Sequence, residues 1–540
     1  MPTHCRPMAL MVKNSRRGIR IFILLSLFIV VSCTYSTREQ GYVYFRLKTN
    51  PTTLDPAYVV DVTGGRLSAK LFNGLVRINA NLEIVPDIAD HWRISGDGKV
   101  YTFYLRRDVM FSNGRRVTAG DFVWSFRRVL DPGNHCPNTW VLDRISGAGE
   151  VIRGKSDKLP GLKALNDYTL RIVLDRPFSP FLSLLSMPAA YVVPREEVLR
   201  LGDSFGFNPV GTGPYKIREW ISSEKLVFES NHNYFEGAPG IRGIIYRIIP
   251  EDLTAITEFE LGNLDVIGIP ASAYRHFTGD PAWKGRIISI KGLNTYYLGL
   301  NCSRPPFSDK TLRRAVSYAI DRKKILGTLY EGRGRLASGP VPDNLREWKI
   351  VNPYRYSPPE AGKLLKKSGY RLPVKVDFYI TSDQDVVDVA EVIQSYLNAA
   401  GFDVHIKQLE WSAYKEALNK GEADMFWLSW WADYPDPENF LYPVFHSSNV
   451  GPAGNRSRFR NPVVDNLIEK GQAATGRDMR DRFYQKAEQL IIDEAPWVFF
   501  WHRNDYLLKQ KWVKNLTVSP VYSSDKGTGI MLSEPAGAKN

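Results

Sequence analysis

Two periodicities divide this chain. Over residues 97–105, "DGKVYTFYL", and again over 168–174 and 225–229, apolar and polar positions alternate, as in half-buried strands. Asp97-Gly98 supplies a turn before the first of these, and Tyr42–Leu47 is a further, aromatic-rich strand candidate. Residues 118–130 change to a helical period: Phe122, Phe126 and Val129 share a face, with Thr118 at the cap and Asp121 at the third position. Mixed strands and short helices between Gly/Pro turns predict an α+β organisation for the first 290 residues.

Beyond that point the pattern becomes regular. Residues 308–326 predict one helix capped by Ser308 or Asp309, with Leu312, Ala315, Val316, Ala319 and Ile320 on one face. Ser357, Pro358, Glu360 and Gly369 read as a capping box, a first turn and a terminator. Then units alternate: strand Val374–Ile380, helix Asp383–Ala400 closed by Gly401, strand Asp403–Leu409, helix Ser412–Lys420 closed by Gly421, strand Asp424–Ser429. Short loops between such units imply parallel pairing through right-handed crossovers, hence a doubly wound α/β domain over about 291–500. Ligands of such sheets bind outside the carboxyl ends of the strands. Just past the strand at 424–429 stand Trp430, Trp431, Ala432, Asp433, Tyr434 and Pro435.

Composition narrows the class without naming it. At 540 residues, 44% hydrophobic and 24% charged, the chain has ample material for several cores. The formal charge of +14 owes five cations to residues 1–32, which hold no acid, and the remaining excess is interspersed with carboxylates. A solvated basic surface accounts for it better than a nucleic-acid face. Lys13, Arg16, Arg17 and Arg20 precede an apolar run, Ile21 to Val31, too short for a membrane span but suited to a secretory signal. Val30-Val31-Ser32-Cys33 resembles the lipobox of bacterial lipoproteins, which implies acylation of Cys33 and a membrane-tethered soluble body; a plain signal peptide is the alternative. Of the other cysteines, Cys136 and Cys302 are expected to stay separate thiols, since one pair is no disulfide framework.

Candidate chemistry points to binding. The eight histidines are dispersed, with none at zinc-site spacings, and no phosphate-binding loop or nucleophile elbow is present, so no metal, cofactor or enzymatic activity is expected. Gly332-x-Gly334-x-x-Ala337 follows a helix rather than a strand and reads as a loop. Trp411, Trp427, Trp430 and Trp431 fall within 21 residues. Trp427, inside a strand beside Met425, reads as core; Trp430 and Trp431 read equally as core or as a ligand-facing wall. Asp433 serves either in an Asx-turn or as a ligand carboxylate.

Five stretches, in order, carry a resemblance. They are Thr53-Leu54-Asp55-Pro56 with "LFNGLV" at 71–76, the long segment 84–125, "NPVGTGPYKI" at 208–217, "PPFSDKTLRRAVSYAIDRKKI" at 305–325, and "WWADYPDPENFL" at 430–441. Together they resemble the peptide- and dipeptide-binding lipoproteins of ABC importers, extracellular solute-binding protein family 5. The resemblance implies a periplasmic-binding-protein-like α/β fold with two lobes around a cleft and an extra α+β domain. A first lobe would combine 41–72, 190–290 and 506–540, with the extra domain at 73–189 and the second lobe at 291–505. It also implies a monomer on the periplasmic side of a membrane, capturing extended peptides and delivering them to permease subunits. Asp433 matches the position that meets the ligand's ammonium; Ser429 and Trp431 match positions whose backbone pairs with the peptide. Trp430 and Trp411 match pocket-lining positions, and Val60 and Val62 an edge offered by the first lobe. Some members hold a peptide carboxylate with an Arg in the strand before this loop; Trp427 stands there instead, and residues 422–435 contain no Lys or Arg. Other members bind cell-wall peptides, haem, sugars or nickel, so the ligand stays open, with histidine scarcity against nickel. A hydrolase or sensor on the same scaffold is the alternative of a different class.

Overall fold

A computed structural model describes residues 38–521 and 526–533. The predicted signal segment 1–32 and Cys33 lie outside the described residues. Twelve strands join in one mixed sheet. Its far end is parallel: Val374–Thr381 pairs in parallel with Phe402–Leu409 along its length and with Met425–Trp431 over two residues. Asn294–Leu300 then pairs antiparallel with Met425–Trp431 on one side and with the strand Trp497–Lys509 on the other. That 13-residue strand does not stop where the α/β half ends. Its second half pairs with Ile287–Lys291 and Val266–Gly268, and through the latter joins Tyr42–Leu47, Gly243–Ile248, Lys225–Ser230 and Tyr215–Ile221. A separate antiparallel sheet contains Ala89–Ile94, Val100–Leu105, Thr169–Val173 and Leu162–Asn166.

Each part has its own apolar interior. The four-stranded sheet buries Phe103, Leu170 and Ile172 against Phe122, Phe126 and Val129 of the helix Ala119–Leu130. Thr118 and Asp121 form the reciprocal cap that their spacing predicts. The parallel strands bury Val376, Phe378 and Ile380 against Ala390, Ile393 and Leu397 of the helix Gln384–Ala400. Trp427 belongs to this interior at 4% exposure. Cys136 and Cys302 are separate thiols.

Three expected elements differ. The helix over 308–326 is two helices, Lys310–Ala319 and Arg322–Leu329, capped by Asp309 and Asp321. Asp321 accepts from the Lys324 N–H at 3.0 Å, and Arg322 turns inward to the Tyr354 carbonyl at 2.6 Å, so a new cap and a buried cation end the first helix. Ser357 makes no side-chain cap; Pro358 and Pro359 open the helix, and the Ser357 N–H donates to Tyr318 O at 2.9 Å. The strand expected to end at Ser429 runs to Trp431, because Trp430 and Trp431 pair with Thr295 and Asn294.

The passage between sheet halves is held by one side chain. Asn294, fully buried, accepts from the Arg503 N–H at 2.7 Å and donates to the Arg503 carbonyl at 3.1 Å. Asn294→Ala would strip both backbone groups of partners in a crowded place. Leaving such groups unsatisfied costs about 1–3 kcal/mol. The unfolding free energy from urea titration, followed by tryptophan fluorescence, is therefore expected to drop by that amount; an unchanged value would mean that water replaces the carboxamide.

Candidate functional site

The strand Met425–Trp431 has one occupied edge and one open one. Asn301 N–H donates to Asp424 O and Ala432 N–H to Leu293 O, both at 2.9 Å, so even-numbered residues turn their backbone groups toward Asn294–Leu300. Odd-numbered residues turn theirs the other way. There Val374–Thr381 pairs only with Met425 and Phe426, and the Trp427 carbonyl is taken by the Tyr414 hydroxyl at 2.5 Å. Among the described residues nothing pairs with that edge at Ser429 and Trp431. An open edge of this kind accepts an extended chain by main-chain hydrogen bonds.

Asp433 stands just past the open edge. An Asx-turn would need the N–H two residues on, which is Pro435 and has none. The turn is made by Asp436 instead, which accepts from the Glu438 N–H at 2.9 Å and pairs with Arg480 at 3.0 Å. The Asp433 carboxylate accepts one hydrogen bond among the described residues, from Asn439 Nδ2 at 3.3 Å, and no cation neutralises it. Its surface is open to the gap in which it stands. The walls around that gap still deprive it of bulk water, and burial raises its pKa.

That gap is a cavity of about 360 Å³. Trp140, Asp143, Arg144 and Phe178 line one side, and Trp430, Asp433, Glu438 and Tyr442 the other. Trp140 approaches Tyr434 at 6.3 Å between ring centres, and Ser179 N–H donates to Gln472 O at 2.7 Å, so the two walls meet. Glu438 sits beneath the floor, bonded to the Tyr434 hydroxyl and to Gln472 Nε2, the latter at 2.6 Å. Burial pushes its carboxyl up to about 7. A larger hollow of about 1070 Å³ lies elsewhere, near Asp55 and Arg128. Those two charges already form a bidentate pair.

The other sequence-derived candidates are scattered around this arrangement. Trp430 lines the cavity, and its Nε1 donates to Asn439 at 3.4 Å. Trp431 is 39% exposed on the opposite face, donating to Ser429 Oγ at 3.2 Å. Trp411 opens the helix Trp411–Lys420 and stacks on Tyr414, at the Trp427 end of the edge rather than in the cavity. Val60 and Val62 are exposed, but Val62 begins a helix capped by Asp61, so they form no strand edge. Trp140, Asp143, Tyr434 and Glu438 escaped the sequence reading; only the run Tyr-Pro-Asp-Pro hinted at a stiffened wall.

Two lobes that share a strand, with an apolar-walled gap and an open strand edge beside it, define an extracytoplasmic solute-binding protein, which captures rather than transforms. The chain belongs to the bacterial extracellular solute-binding proteins, family 5, whose profile (the middle portion) matches residues 83–452. It is 29% identical to heme-binding protein A of Haemophilus influenzae over 90% of this chain and 91% of that one. It is also 29% identical to the periplasmic murein peptide-binding protein MppA of Escherichia coli, over 88% and 90%. The unliganded open form of the periplasmic murein tripeptide-binding protein MppA superposes with a TM-score of 0.79 at 27% identity, covering 92% of this chain and 98% of that one.

Glu438 makes the site's surroundings sensitive to pH. Its folded value of about 7 lies above the unfolded one, about 4.3. Between the two the folded protein binds the extra proton, so stability declines as pH rises through that window. Glu438→Gln keeps a neutral, hydrogen-bonding group and is expected to remove that decline, up to about 4 kcal/mol over the full window at ~1.4 kcal/mol per unit. Urea unfolding at pH 5, 6 and 7 measures it; identical slopes for both proteins would show that Glu438 is ionised throughout.

Proposed function

We propose that the chain is the substrate-binding lipoprotein of an ABC importer, capturing extended peptides between its lobes for transfer to membrane permease subunits. One observation carries this reading: Asp433 is a carboxylate without a counter-cation, beside an open strand edge and between aromatic walls. A free peptide brings what these features lack, an ammonium for the carboxylate and a main chain for the edge. In this reading Ser429 and Trp431 supply backbone partners and Trp430 a side-chain wall. Relatives named for murein peptides and for di- and tripeptides support a peptide, whereas the relative named for heme keeps a second cargo class in view. Against heme, a cavity of about 360 Å³ suits a few residues of chain better than a macrocycle.

Asp433→Asn separates the ligand reading from a structural one. Removing one partner of a buried charge pair costs about 2–5 kcal/mol, roughly 30-fold to a few thousand-fold in affinity. Acetylating the peptide's amino group is expected to weaken binding to the unaltered protein by a similar factor, with little further loss in the variant. Calorimetry of two proteins with two peptides closes the cycle; equal affinity in all four removes Asp433 from the site. The proposed anchor has its own test. Cys33→Ala is expected to release a folded, unlipidated protein, and sedimentation with membranes after a carbonate wash would refute lipidation.

A further inference from the structure

The extra domain over 73–189 shares its apolar interior with Ala57 and Val192 of the first lobe, and Tyr434 is the one second-lobe residue among the buried members of that interior. It therefore travels with the first lobe when the crossing bends. Its loop at 177–180 nevertheless reaches the second lobe. The Ser179 N–H donates to Gln472 O at 2.7 Å, and the Ser179 hydroxyl donates to Gly471 O at 3.2 Å. Those carbonyls end the helix Pro462–Ala473, and the last four carbonyls of a helix have no partner further along it. Gln472 is 3% exposed, and its Nε2 donates to Glu438, which holds the Tyr434 hydroxyl. A Cβ on Gly98 of the extra domain would stand 2.9 Å from Thr475 Cγ2, so the two surfaces also touch just past the helix end. Phe178 lines the cavity, whereas Ser179 is spent on the helix end.

We propose that Ser179 is a clasp: through it the extra domain caps a helix of the second lobe and sets the fraction of the protein that is shut, whatever the cargo. This rests on capture between the lobes as read above, but not on the chemistry of the cargo. When the lobes part, the two carbonyls and the two Ser179 donors face water, so closing exchanges hydrogen bonds with water for hydrogen bonds within the protein. The net gain from such an exchange is modest, which suits a contact that must also release. A ligand that binds only the shut form has its apparent affinity scaled by the shut fraction. Weakening the clasp therefore weakens every ligand by one factor, whereas Asp433 acts on one charge and changes the ratio between ligands. Gln472 joins the clasp to the cavity: its carbonyl receives Ser179 while its side chain holds Glu438 below Tyr434, the ring on which Trp140 sits. Closing thus seats Ser179 and Trp140 in one movement.

The test compares the unaltered protein with Ser179→Ala, which deletes the hydroxyl, and Ser179→Thr, which keeps one. Each is titrated with trialanine and Ala-Phe-Ala, which share an amino terminus and differ in one side chain. Lobe separation in the empty protein is read by paired spin labels placed through Leu165→Cys and Met479→Cys, both exposed positions, one in the extra domain and one in the second lobe. Ser179→Ala is expected to weaken both peptides about 5-fold, the scale of one neutral hydrogen bond, with the ratio between them held within about 2-fold. The label distances are expected to shift toward the longer separation, and Ser179→Thr to restore affinity and distance together. Loss confined to one peptide would put Ser179 in the ligand site and overturn the inference. Equal loss with unchanged label distances would make it a support of the cavity wall, and overturns it too, as do unchanged affinities and distances. If neither peptide binds the unaltered protein, the peptide reading fails, and the label distances alone still decide the clasp.

Discussion

The strand Trp497–Lys509 hydrogen-bonds with one half of its length to Asn294–Leu300 and with the other to Ile287–Lys291. Any movement of one sheet half against the other has to bend it, together with its neighbour as that crosses through Gly292 and Leu293. Two adjacent antiparallel crossings define an axis instead of a free joint, because their mutual hydrogen bonds resist shear but tolerate a change of twist. The buried Asn294 carboxamide fixes where that axis lies. The same crossing brings Tyr296 and Arg503 beside the open end of Met425–Trp431.

Unmet charge is what marks this gap. Asp55 and Arg128 satisfy one another, as do Asp436 and Arg480. Asp433 has only an amide for company, in surroundings that raise its pKa. A folded protein gains nothing from an uncompensated carboxylate held between two tryptophan-bearing walls; the desolvation cost is unpaid until a cation arrives. Such a cost is a mark of preorganisation when the compensating charge belongs to something that binds.

Local periodicity made most of the α/β half legible: Gln384–Ala400, Phe402–Leu409 and the glycine terminators at 401 and 421 lie within a residue or so of where the pattern ends. Where reading failed, a distant partner decided. Trp430 and Trp431 are strand because Asn294 and Thr295 lie opposite them, and nothing near residue 430 encodes that. Asp321 falls inside the single helix expected over 308–326, and it caps a second helix instead. At the site, the Asp433 loop was visible as a composition, whereas Trp140 and Asp143 come from the part of the chain that carries the separate four-stranded sheet. Val60 and Val62 came from resemblance alone, and the helix that begins at Val62 removes the strand edge expected there.

Recognition through a strand edge has a consequence for selectivity. Main-chain hydrogen bonds are nearly the same for every residue type, so an edge such as Ser429–Trp431 cannot rank sequences. Broad aromatic walls add area to most side chains and likewise discriminate weakly. What such a site can select is a charge, because an ammonium left without its partner inside the gap loses water and receives nothing in exchange.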